Sequence, residues 1–135
     1  MNNLSKKIFS LFLFFILLSS GCASLHEKGK RIWGSSVEHL ENARQDGKSS
    51  DIALSLDNCF TRTEKIFKDL GATVYPIDKD KKYLAAMNFK GHVNTTQVGI
   101  FFTKKNERLT HVEVASMSPA LCDEIATLLF EELKK

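Results

Sequence analysis

The chain is poor in the side chains that build metal and redox centres. Of its 135 residues, three are cysteine and four are histidine. His26, His39, His92 and His111 share no metal-ligand spacing and no Cys-x-x-Cys pair is present, so no metal is expected. A Gly-x-Ser-x-Gly elbow, a His-Glu-x-x-His helix and a phosphate-binding loop are also missing. His111 lies near Glu113 on a strand, but that pattern fits a solvated strand face better than an acid–base pair. With no nucleophile–base constellation, neither an enzyme nor a cofactor is expected. Charge excess is lacking too: the formal +3 falls to +1 once the N-terminal segment holding Lys6 and Lys7 is set aside. Lys79, Lys81 and Lys82 alternate with Asp78 and Asp80 as in a solvated turn, so there is no basic face for nucleic acid. Long apolar runs are scarce: Ile8 to Leu18 is about half of the roughly 20 residues a spanning helix requires.

That short run is nonetheless the most informative stretch. Lys6 and Lys7 precede it, and Leu17-Leu18-Ser19-Ser20-Gly21-Cys22 closes it with small residues, the layout of an export signal. A cysteine directly after Gly21 makes the stretch resemble the lipobox of bacterial lipoproteins. The resemblance implies a diacylglyceryl group on the Cys22 thiol, cleavage before it and acylation of the new amino group. Two or three acyl chains hold a protein stably, at ~0.8 kcal/mol per buried methylene. Ala23 after the lipidated cysteine is similar to the outer-membrane sorting pattern, which implies a location on the outer membrane facing the periplasm. The expected organisation is a signal peptide at 1–21, a lipidated tether with a short helix at 22–50 and a folded domain at 51–135.

Within the tether, Ser35-Ser36-Val37-Glu38 has capping-box spacing and predicts a helix from about Ser36 to Gln45, stopped by Gly47. Val37 and Leu40 share one face of it. So short a helix has to dock on something. Trp33, the only tryptophan, is expected to pack under this helix, with the headgroup layer of a membrane as the alternative.

Further on, Ile52 to Leu54 predicts a short strand. Ser55 caps a helix whose apolar residues Leu56, Cys59, Phe60, Thr63, Ile66, Phe67 and Leu70 fall at threes and fours, ending before Gly71. Extended runs follow at Ala72–Ile77, Tyr83–Phe89, Thr96–Thr103 and Leu109–Ala115, with Val98, Ile100 and Phe102 facing one way and Gly99 and Phe101 the other. Ser118-Pro119 opens a final helix with a broad apolar stripe. The expected fold is α+β: a two-layer sandwich of four to five antiparallel strands with two main helices on one face, in the order β-α-β-β-β-β-α.

Cys59 and Cys122 both lie on apolar helix faces. In an oxidising envelope they are candidates for a disulfide, and otherwise two buried thiols. Phe101 is either an exposed contact surface or covered by the tether helix.

The lipobox, Gly34-Ser35-Ser36-x-x-x-Leu40-Glu41-x-Ala43-Arg44, Asn58-Cys59-Phe60 and Val98-Gly99-Ile100-Phe101-Phe102 with Val112-Glu113-Val114 resemble a family of small uncharacterised bacterial lipoproteins. The element order is also similar to the helix-grip domains of the outer-membrane assembly lipoprotein in the barrel-insertion machinery. These resemblances imply localisation and architecture. The expected function is a non-enzymatic, membrane-anchored binding or envelope-assembly accessory domain, touching an envelope protein through Trp33, Leu40 and Phe101. The alternative is a periplasmic carrier of a small ligand or lipid, with a pocket lined by Phe60, Phe67, Met87 and Phe102.

Overall fold

The structure, a computed structural model, describes residues 37–78 and 82–135. The signal segment, Cys22, Trp33 and the serines of the capping box lie outside the described residues, as do 79–81 of the polar turn. Val37–Lys135 forms one unit. A helix over 37–43, α1, runs into a 3-10 turn at Arg44–Asp46 and stops at Gly47. Then come β1 (Lys48–Ile52), α2 (Leu56–Asp69), β2 (Thr73–Asp78), β3 (Tyr83–Met87), β4 (Val98–Asn106), β5 (Leu109–Ser116) and α3 (Pro119–Leu133). The five strands form one antiparallel sheet in the order β1-β5-β4-β3-β2. This is the expected α+β fold and the expected order of elements.

Local chemistry explains the boundaries of the helices. Ser55 Oγ accepts from the Asn58 amide at 3.4 Å to open α2, and Gly71, at φ 73°, supplies the left-handed residue that ends it. Ser118 Oγ accepts from the Leu121 amide to open α3, with Pro119 at the first helical turn. Cys59, Phe60, Thr63 and Phe67 of α2 are buried, as are Leu121, Cys122, Ile125, Ala126, Leu129 and Leu133 of α3. Both stripes pack on the face that presents Val98, Ile100 and Phe102 of β4 and Val112 and Val114 of β5. Pro76 falls on β2, an edge strand, where the pairing with β3 shifts register between Tyr75 and Asp78.

Two expectations about the strands need correction. The first strand is Lys48–Ile52, not Ile52–Leu54. It is an edge strand whose polar residues carry no alternation, and what defines it is the ladder from Lys48↔Val114 to Ile52↔Thr110. Leu54 instead turns out of the sheet: its amide donates to the Ile52 carbonyl at 2.8 Å, and its own carbonyl accepts from Thr110 Oγ1 at 2.9 Å. The β4–β5 hairpin also extends further than the apolar pattern implied, to Asn106↔Leu109, with Asn106 Oδ1 accepting from the Arg108 amide in the turn.

Candidate functional surface beneath the first helix

A sheet with helices on one face leaves the other face to be explained. Here β4 is buried on both sides: Phe101 is 6 % exposed and Leu40 of α1 is 2 % exposed. Leu40, Tyr83, Ala85, Phe101 and Ala115 form a second apolar cluster, with Val37 and Ala43 packed on it. Leu40 and Phe101, expected as parts of a partner surface, are therefore buried together. The reason is steric as well as hydrophobic. Gly99 has no side chain, and a Cβ there would meet Leu40 at 3.3 Å, so the helix settles into that gap. Gly47 lets the chain pass β5, because a Cβ would stand 2.6 Å from the Val114 carbonyl oxygen.

Polar groups pin the helix in place. Arg44 puts its guanidinium carbon 4.4 Å from the centre of the Phe101 ring and holds Glu113 with two hydrogen bonds, Nε to Oε1 at 3.3 Å and Nη2 to Oε2. The Tyr83 and Phe101 rings stand 5.0 Å apart. Tyr83 keeps a buried hydroxyl with no hydrogen-bond partner. Burial pushes its phenol from 10.0 up to about 12, and the nearby Glu41 carboxylate adds to the shift. The folded protein thus keeps the proton to higher pH than the unfolded chain does. The associated stability is intact below pH 10 and drains away between about 10 and 12, at about 1.4 kcal/mol per unit. Unfolding in denaturant over that range should become progressively easier, and a Tyr83→Phe variant should lose that part of the slope.

The remaining candidate groups are paired with neighbours across the sheet and the helices. His111 Nδ1 lies 2.5 Å from Asp51 Oδ1, not on Glu113, which Arg44 holds. Thr103 faces His111 in the register but makes no hydrogen bond to its ring. His92 Nε2 meets Glu124 at 2.8 Å. Among the described residues no cluster of His, Cys, Asp and Glu could hold a metal ion.

Cys59 and Cys122 are free thiols, which corrects the candidate disulfide. Burial raises the pKa of both; the Thr110 side chain partly offsets it at Cys59, and Cys122 donates to the Val114 carbonyl at 3.4 Å.

No protein-family model matches this chain, and no curated protein matches it either. What the site can do must therefore come from its own geometry.

The pocket expected from Phe60, Phe67, Met87 and Phe102 is filled by its own side chains. Phe60 stacks at a tilt on Phe102 with centroids 5.5 Å apart, and Phe67 meets Phe89 edge-on at 5.6 Å. Phe60 borders a hollow of about 80 Å³ with Leu56, Asp57, Thr61 and Lys82, well below the roughly 300 Å³ at which ligand pockets begin. A larger open hollow of about 600 Å³ lies elsewhere, between Ala53, Leu54, Arg62 and the end of α3 at Leu133–Lys135. Sequence reasoning missed Arg44, Glu113 and Tyr83 as a group. They stand far apart along the chain, and only the strand register brings them together.

Proposed function

We propose that the protein is a bacterial lipoprotein, tethered through lipid on Cys22, whose globular unit serves the outer envelope as a non-enzymatic binding or assembly-accessory domain. The observation that carries this reading is the sequence Leu17-Leu18-Ser19-Ser20-Gly21-Cys22 after a short apolar run and two lysines. No helix among the described residues is long and apolar enough to cross a membrane. The likeness to small bacterial lipoproteins belongs to the same proposal. The closed packing around Phe60, Phe67 and Phe102 favours binding at a surface over carriage inside the core. Burial of Leu40 and Phe101 moves the candidate contact away from those two side chains.

The test is expression of the full chain and of Cys22→Ser in a Gram-negative host. The parent should partition with membranes and carry the mass of a diacylglyceryl group and a further acyl chain on a chain that begins at Cys22. The variant should lose that added mass and remain unprocessed. An unmodified, unprocessed parent would overturn the proposal.

A further inference from the structure

The three large apolar side chains that stand exposed among the described residues are gathered at one end of the sheet. Val93 is 71 % exposed, Met117 69 % and Leu70 37 %. The pairs Thr73↔Met87, Val98↔Ser116 and Lys48↔Val114 mark that end. Leu70 sits just before β2, Val93 in the connection from β3 to β4, and Met117 directly after β5. The opposite end carries Lys104, Lys105, Asn106, Glu107 and Arg108, all exposed. Single exposed apolar residues are ordinary on any surface. Their concentration at one end, with a charged hairpin at the other, makes the molecule polar along its strands.

Several charges at the apolar end are paired. The carboxylates flanking it on α2 and α3 each have a partner: Asp69 meets Lys65 at 3.1 Å, Asp123 meets Lys48 at 3.2 Å and Glu124 meets the His92 ring Nε2 at 2.8 Å. Lys90, exposed in the same connection as Val93, has no ion-pair partner among the described residues. The chain from the N-terminal side also enters the sheet here, at Lys48, and α1 lies over Gly99, one position in from the edge. From Cys22 to Val37 the connector reaches at most about 50 Å when fully extended. A lipid on Cys22 therefore keeps the domain within reach of the bilayer.

We propose that this end rests on the membrane to which the chain is tethered, with Leu70, Val93 and Met117 entering the headgroup layer and Lys90 meeting anionic lipid phosphates. The inference rests on the lipoprotein reading above and adds an orientation to it. The α1 face then stands roughly perpendicular to the membrane, and the hairpin at Asn106–Leu109 points away from it.

The test uses the full lipidated protein on vesicles of phosphatidylethanolamine and phosphatidylglycerol that carry a photoactivatable phospholipid. Crosslinks mapped by mass spectrometry should concentrate in peptides holding Leu70, residues 88–97 and Met117. Val93→Asp, on a side chain too exposed to matter to the fold, should lower the yield at Met117 several-fold. Crosslinks confined to residues 22–36, or found equally at 104–109, would overturn the orientation while leaving the tether intact. Failure of the protein to float with the vesicles would be seen before irradiation and would sink both proposals.

Discussion

Phe67→Ala is expected to lower the free energy of unfolding by about 3–5 kcal/mol. Phe67 is fully buried on α2, edge-on to Phe89 in the connection that follows β3. Removing the ring forfeits its transfer out of water and leaves a void between a helix and a sheet whose spacing is held by Phe60, Leu129 and Ile100. A domain of about 100 residues typically has 5–15 kcal/mol in hand, so the variant should sit near the edge of folding at 37 °C. In urea the midpoint should fall steeply with little change in slope. A loss below about 1 kcal/mol would mean that the layer collapses around the gap and that the core is looser than its burial indicates.

Leu40→Ala should cost about 2–4 kcal/mol, and the damage should be local. Two helical turns have no stability of their own in water; α1 is held by Leu40 against Gly99, by Val37 and Ala43, and by Arg44 on Phe101 and Glu113. With Leu40 truncated, amide exchange should accelerate across 37–46 while α2, α3 and β3–β5 stay protected. Tyr83, exposed by the same loosening, should then titrate below its native value of about 12 and closer to 10.0. If exchange accelerated uniformly, the helix would be part of one cooperative unit with the main core rather than a separately held cover. The same result bears on partner binding. A Leu40 variant that lost a partner would do so by disturbing the cover, not by deleting a contact.

The two large helices were legible because each carries its own start, stop and stripe: Ser55 and Gly71 around one, Ser118-Pro119 ahead of the other. The alternation Val98, Ile100, Phe102 likewise identified the buried face before any pairing was known. Such features depend on neighbours three or four positions away in helices and two in strands, so they are written locally. The first strand was not legible in the same way. Lys48 to Asp51 present no apolar period, and the position of the strand comes from the ladder offered by β5. Sequence reasoning also left two outcomes open for Phe101, because alternation places it on the second face without saying what covers that face.

By itself, then, the sequence settles the α+β class, the order of elements and the face that becomes the main core. The lipid anchor was also proposed from it, on the small residues before Cys22. What only the tertiary structure decided is the docking of the first helix on the sheet, the free state of Cys59 and Cys122, and the second cluster in which Arg44, Tyr83, Phe101 and Glu113 meet. Side chains distant in the chain become neighbours only through strand register and helix docking. Those are set by the summed burial of both faces rather than by any stretch read alone.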